Sequence, residues 1–234
     1  MKTSVLAALA GLALAACSPA PSFDKGVDAY KAKDYAGAMA QWRPLADKGE
    51  ARAQLNVGSL YRDGLGVKAD PVEGARWYAL AAAQDNADAQ ANLGVLYMQG
   101  SGVPQSYTMA RGLLAKAAAK NQEQAVFNLA VLYDNGQGGA ADKAKAAELY
   151  TRGANAGDSD AQGNLGVDYA TGDGVAADKV QAYKWFSLAA RGADEPDRKA
   201  QAVANLGRVR SAMSPAEIAQ GDQAVAAFKP VGGG

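Results

Sequence analysis

Four asparagines carry the most regular side-chain chemistry in this sequence. Asn56, Asn92, Asn128 and Asn164 recur at intervals of 36 residues, and Asn205 lies in a partial further copy of the same motif. A primary amide both donates and accepts hydrogen bonds, as a peptide group does. One role open to each amide is therefore a bond to the adjoining repeat, which would stabilise the stack of repeats.

The composition excludes several other kinds of chemistry. The chain has no histidine, which removes the commonest general base near neutral pH and the commonest metal ligand. Ser-His-Asp and Cys-His catalysis cannot be built within it, so we expect no enzyme, no cofactor and no metal site. With 24 basic and 24 acidic side chains, the chain lacks the excess positive charge that binds nucleic acid. We therefore do not expect nucleic acid as a partner.

One short motif resembles a catalytic one. Ser22 and Lys25 are spaced as in the S-x-x-K of penicillin-recognising enzymes, but the companion motifs S-D-N and K-T-G are absent. Ser22 also stands at an expected helix start, where a hydroxyl accepts from a free main-chain amide. We therefore expect Ser22 to be an N-cap.

The first 22 residues read as a targeting segment. A basic Lys2 is followed by a short apolar run over 5–13, too short to cross a bilayer as a helix. The segment ends in Leu-Ala-Ala-Cys at 14–17, which resembles the lipobox of bacterial lipoproteins. The resemblance implies a signal peptide over 1–16, a lipidated Cys17 and a linker over 17–22. The alternative is an ordinary secretory signal with a chance cysteine.

Ser18 follows the cysteine. By resemblance to lipoprotein sorting rules, we expect the chain to be anchored by lipid in the bacterial cell envelope, in the outer membrane facing the periplasm.

The residues around the asparagines define the elements that position them. Each copy begins with helical spacing of apolar residues, and a tyrosine follows each asparagine by five residues. Two glycines then bracket a turn, at Gly64 and Gly66, Gly100 and Gly102, Gly136 and Gly138, and Gly172 and Gly174. A second helix follows, capped by Asp70, Ser106, Asp142 or Asp178. Repeats of this length bury their apolar faces against one another, which predicts an all-α, right-handed α-solenoid of stacked antiparallel helix pairs.

The run Ala-Gln-x-Asn-Leu-Gly-x-x-Tyr-x-x-Gly-x-Gly-Val, followed by Ala-x-x-Trp-Tyr-x-x-Ala-Ala, resembles the Sel-one-like repeat family, which is related to the tetratricopeptide repeats. The match covers 51–194 as four repeats. We expect a tetratricopeptide-like helix pair over 23–50, capping helices over 195–229, the last with a Ser214-Pro-Ala-Glu capping box, and a loose tail over 230–234.

The resemblance also implies where a partner binds. In some tetratricopeptide proteins, the equivalent asparagines line the inner groove and bind an extended peptide, a second role that can coexist with bonding to the adjoining repeat. Variable residues near the ends of the first helices are candidate specificity positions: Arg62, Asp63, Met98, Gln99, Asp134, Asn135 and Asp168. Asp168 replaces a leucine of the other repeats, and we expect partial exposure there because burying an unpaired carboxylate is costly.

The favoured function is a non-enzymatic scaffold or adaptor that binds a peptide segment or an envelope protein on its concave face. The alternatives are a cell-wall-directed or β-lactam-binding protein, as in cysteine-rich relatives of the repeat family, and a regulator of a periplasmic enzyme or secretion system.

Overall fold

The computed structural model describes residues 20–231, which form twelve α-helices and no β-strand. Residues 1–19, which include the expected signal peptide and Cys17, and residues 232–234 lie outside the described residues. The all-α expectation is therefore confirmed over the part of the chain that carries the repeats.

The helices follow one another with short connections. Their bounds are α1 Phe23–Lys31, α2 Tyr35–Asp47, α3 Ala51–Asp63, α4 Pro71–Ala83, α5 Ala87–Gln99, α6 Tyr107–Ala119, α7 Glu123–Asp134, α8 Lys143–Ala156, α9 Ser159–Thr171, α10 Lys179–Gly192, α11 Pro196–Ser211 and α12 Pro215–Ala227. From α1 to α11, every two consecutive helices pack on each other, which is the neighbour-to-neighbour packing of a solenoid.

In the first, second and fourth repeats, a glycine on the first helix packs against a large side chain of the second helix. A Cβ added at Gly58 would lie 2.8 Å from the Tyr78 ring, and one at Gly94 would lie 2.8 Å from Leu114. Tyr78 and Leu114 are fully buried. The two helices of a repeat can therefore pack closely because the glycine leaves room for an aromatic ring or a leucine.

The two glycines of each turn do different work. The first, exemplified by Gly64 with φ of 68°, ends its helix in the left-handed conformation that glycine adopts without steric cost. The second packs on the start of the previous repeat's second helix, and a Cβ at Gly102 would collide with the main-chain carbonyl of Pro71. These glycines therefore set both the turn and the spacing between repeats.

The predicted caps are present. The side chains of Asp70, Ser106, Asp142 and Asp178 accept from main-chain amides of the helices that follow them. Ser22 accepts from the Lys25 amide and is an N-cap, as expected. Ser214 and Glu217 form the predicted capping box of α12.

The C-terminal end departs from the simple stack. Helix α11 packs on α10 as a first helix should, but α12 packs on α10 rather than on α11. The Tyr183 hydroxyl donates to Asp222 at 2.8 Å, and Phe228 meets Trp185 edge to face with 5.6 Å between ring centroids. These contacts hold α12 against α10, so α11 and α12 end the stack without pairing with each other as a further hairpin.

Candidate functional site

The asparagine row lies on the first helices of the four repeats. Asn56, Asn92, Asn128 and Asn164 are each half-buried, on α3, α5, α7 and α9. Within residues 20–231, the only side-chain hydrogen bond in this row is from Asn128 to the Gln124 carbonyl of its own helix. The first proposed role, bonding to the adjoining repeat, is therefore wrong for these asparagines.

Glutamines perform that role instead. The buried Gln54 donates from Nε2 to the Ala46 carbonyl at 3.1 Å, and Gln162 donates to the Ala154 carbonyl at 3.2 Å. Gln90 makes the same bond to Ala82 at 3.3 Å and a second one to the Asp85 carboxylate at 3.1 Å. The glutamine stands two residues before the asparagine in the repeated motif. The sequence showed this repetition, but only the structure shows which amide faces the preceding helix.

The third repeat makes the bond with a different residue. Val126 replaces the glutamine there, and Arg152 of α8 donates to the Ala118 carbonyl. Arg152 also donates to the Asn121 side chain at 2.7 Å. Asn121 and Asp85 stand 36 residues apart, and both have left-handed backbone conformation. The side-chain oxygen of Asn121 accepts from Arg152, and that of Asp85 accepts from Gln90. The stacking bond is thus kept in all four repeats.

A cleft of about 210 Å³ opens on the surface formed by the first helices. Phe127 of α7, Asn164 of α9 and Asn205 of α11 all line it, so it crosses three successive first helices. Its lining also includes Gly163, Val167, Ala189, Ala202, Gln201 and the ion pair between Asp160 and Arg198. The Asn205 amide oxygen accepts from Arg208, whereas the Asn164 amide makes no hydrogen bond with residues 20–231. Apolar surface with a few polar groups is the usual lining of a ligand site.

The cleft exists because a side chain is missing from its wall. Gly163 occupies the position that Phe127 has in the preceding repeat, and a Cβ at Gly163 would meet no atom within 4 Å. A second hollow of about 280 Å³ shares Val167 and Asn205 with the first and extends to Phe186. The two together form a continuous groove between α9 and α11, which we call the Asn164 groove.

The candidate specificity positions lie elsewhere, and none of them lines the cleft that Asn164 and Asn205 share. Arg62 binds the adjacent Asp63 with a nitrogen to oxygen distance of 2.6 Å, and Asp134 pairs with Lys143 at 2.6 Å. Met98 packs on the core, Gln99 is exposed, and Asn135 donates to the Val131 carbonyl. Most of these groups are therefore occupied by local contacts.

Asp168 is buried, contrary to expectation. Its residue exposure is 6%, and its Oδ2 has no hydrogen-bond partner among the described residues. Burial raises the pKa of Asp168 to about 7, and the nearby Asp134 and Asp173 carboxylates add to the rise while Lys143 opposes it. Asp168 stays in the core because it occupies the leucine position of α9, so it is not a surface specificity residue.

Residues 20–231 contain no group of three acidic, histidine or cysteine side chains placed to hold a metal ion. Over the same range, no helix combines the length and the apolar character that crossing a bilayer requires.

Comparison with known families decides the class of the repeat. The family model described as the Sel1 repeat matches residues 51–86, 87–122, 123–158 and 159–194, which together make up more than half of the chain. The chain belongs to the Sel1 repeat family. Sel1 repeats form a fold that commonly mediates protein–protein interaction. No curated protein sequence shows significant similarity to the chain as a whole.

Solved Sel1 structures share the fold. A Sel1 repeat protein from Oxalobacter formigenes is 28% identical, with a TM-score of 0.74 over 90% of this chain and 86% of its own. A protective antigen of uropathogenic Escherichia coli strains, described as displaying an SLR fold, is 29% identical with a TM-score of 0.75. The alignment with that antigen covers 87% of this chain but only 44% of the antigen. A putative Sel1 repeat protein from Klebsiella pneumoniae, 24% identical, aligns over 79% of this chain and 97% of its own with a TM-score of 0.51.

Proposed function

We propose that this Sel1 protein is a non-enzymatic scaffold that binds an extended segment of a partner protein in the Asn164 groove. The observation that carries the proposal is a difference in hydrogen bonding between the glutamine and the asparagine of the repeated motif. The glutamines hydrogen-bond within the stack, whereas Asn164 stands half-buried in the groove with no side-chain hydrogen bond to residues 20–231. A half-buried amide facing a groove can bind the peptide groups of a ligand at little cost in reorganisation.

The rest of the groove fits the same ligand. Phe127, Val167 and Ala202 give apolar surface for ligand side chains, and Asn205 lies across the groove from Asn164. The ion pair between Asp160 and Arg198 borders the groove and offers one charge of each sign. An extended chain with small or apolar side chains can thus place its main chain between two amide-bearing helices.

The test fills the groove without disturbing the fold. Gly163→Leu adds a side chain where a Cβ meets nothing within 4 Å, and Gly112→Leu makes the same change at an equally open, exposed site on α6. Each full-length protein is used to capture polypeptides from detergent-solubilised envelopes, and the bound polypeptides are quantified by mass spectrometry. We expect Gly163→Leu and Asn164→Ala each to reduce capture of a specific polypeptide at least ten-fold, and Gly112→Leu to leave it unchanged. Equal capture by all four proteins contradicts the proposal.

We further propose that the scaffold is held at the bacterial envelope by lipid on Cys17, facing the periplasm from the outer membrane. The support is the sequence of 14–17 and the short apolar run before it. Multiple acyl chains at one residue give firm membrane attachment, whereas a single chain gives marginal attachment. Intact mass spectrometry of the mature protein tests this proposal: it predicts an acylated residue 17 at the N-terminus, and release from membranes in Cys17→Ser. A mature Cys17 of unmodified mass contradicts it.

A further inference from the structure

Helix α11 presents a face that is covered in every complete repeat but is open here. Alignment of the repeats pairs Leu206 with Leu165 and Gly207 with Gly166. Leu165 is fully buried, whereas Leu206 is half-exposed. Gly166 lies under the Phe186 ring, but a Cβ at Gly207 would meet nothing within 4 Å.

The neighbouring position shows the same difference. Val203 of α11 stands where Gln162 stands in α9, and its exposure is 52% against 3% for Gln162. Together, Val203, Leu206 and Gly207 form what we call the α11 face. The face is open because α12, which follows α11 in the chain, packs on α10 instead. A Cβ at Gly221 of α12 would collide with the Tyr183 ring, so α12 is seated there closely.

The internal repeats show what kind of element covers such a face. In the first, second and fourth repeats, a second helix of 13 or 14 residues lays Tyr78, Leu114 or Phe186 against the glycine. Gly207 of the α11 face is equivalent to the glycine on which that large side chain packs in the other repeats. An amphipathic helix of three to four turns, with an aromatic residue or leucine at its centre, therefore fits it.

Charge narrows the choice of helix. Two basic side chains lie on the side of α11 that carries this face: Lys199, four residues before Val203, and Arg210, three residues after Gly207. The other two basic side chains of the helix, Arg198 and Arg208, line the Asn164 groove instead. Opposite charge across an interface favours association, and like charge opposes it. Pairing of two α11 faces from two copies of the chain would bring the basic residues together.

We propose that the α11 face docks an acidic amphipathic helix of a partner protein, which completes the fifth repeat. The partner helix takes the place of the missing second helix and puts an aromatic or leucine side chain over Gly207. Gly207 lies on the α11 face, and Gly163 lies in the wall of the Asn164 groove. Substitutions at the two glycines can therefore block the two sites independently.

The probe is a peptide with the sequence of residues 70–85, the capped second helix of the first repeat. It contains the Tyr78 that packs on a glycine, and it carries three acidic side chains and one basic one. Binding to the full-length protein is measured by fluorescence anisotropy. We expect Gly207→Leu to weaken binding at least ten-fold, because the added side chain fills the space over α11. The Tyr78→Ala peptide should show a similar loss, and added salt should weaken binding.

The matched controls separate this proposal from the proposed function. Gly112→Leu and Gly163→Leu should bind the peptide as the native protein does, since neither change is on the α11 face. Failure of the peptide to bind, or equal binding to Gly207→Leu, would overturn the proposal whatever the Asn164 groove does. Analytical ultracentrifugation tests whether a second copy of the chain occupies the α11 face instead. Self-association that Gly207→Leu abolishes would assign the face to that second copy and would overturn the proposal of a partner protein's helix.

Discussion

Arg152 donates a hydrogen bond to the main-chain carbonyl of Ala118. In the other three repeats, a buried glutamine donates to the equivalent carbonyl. The donor comes from the following second helix in one case and from the following first helix in the others. Two different types of side chain therefore bond to equivalent carbonyls of successive repeats, so the stack requires a donor at this point rather than one particular residue type.

We expect Arg152→Met to destabilise the protein by about 1 to 3 kcal/mol, because the Ala118 carbonyl loses its side-chain partner. Adding Val126→Gln should recover most of the loss, since it restores the glutamine of the other repeats. Urea unfolding of the two single variants and the double variant measures this coupling. Strictly additive effects would show that Arg152 does not replace the glutamine.

The two amides of the repeated motif should differ in their effect on stability. Gln162→Ala removes a buried hydrogen bond and should cost about 1 to 3 kcal/mol, whereas Asn164→Ala should cost less than about 0.5 kcal/mol. Thermal and urea unfolding of the two variants compares neighbouring positions on one helix. A larger loss in Asn164→Ala would give the asparagine a structural role and weaken the proposed function.

Asp168 should make stability depend on pH. Its pKa is about 7 in the folded protein and about 3.9 in an unfolded chain. A carboxyl group whose pKa is raised by folding favours the folded state below the unfolded value, and that contribution is lost as the pH rises through the folded value. The free energy of unfolding should therefore fall by about 1.4 kcal/mol for each pH unit between about 4 and 7.

Asp168→Leu restores the leucine of the other repeats and should abolish this slope, so that its gain in stability over the native protein is about 2 to 3 kcal/mol larger at pH 8 than at pH 5. Asp168→Asn, which keeps the shape of the side chain, should also abolish the slope. Urea unfolding at pH 5 and at pH 8 makes the comparison. A slope that persists in both variants would assign the pH dependence to other groups.

The same substitution at two equivalent glycines should have opposite effects. Gly166→Ala places a Cβ 2.8 Å from the Phe186 ring and should destabilise by about 1 to 3 kcal/mol. Gly207→Ala meets no atom and should stabilise helix α11 by about 0.5 to 1 kcal/mol. Thermal unfolding measures both, and destabilisation by Gly207→Ala would mean that the α11 face is covered within the chain.

The sequence predicted the repeated architecture because glycine turns, helix caps and apolar spacing are local signals. Asp70 and Ser214 cap their helices as expected for that reason. The path of α12 depends instead on Tyr183 and Phe228, which contact residues far away in the sequence or on another helix. No local pattern distinguishes a helix that folds back on α11 from one that packs on α10.

The site was predicted only in part, for a related reason. Spacing placed Asn164 and Asn205 on the same kind of helix, and the structure brings them to one cleft. The contribution of Gly163 was missed because an absent side chain has no motif. Asp168 was misjudged because the energetic cost of a buried carboxylate was taken to prevent burial, whereas here the residue is buried and its pKa is raised.

The central claim is that a partner binds the groove between the first helices, and site-specific photocrosslinking tests it most directly. A photoreactive amino acid is placed at Val167, which is 39% exposed and lines the groove, or at Val72, which is 66% exposed on the second helix α4. After irradiation of cells, we predict a specific protein adduct at position 167 and none at position 72. An adduct at position 72 with none at position 167 would place the partner on the second helices and contradict the claim.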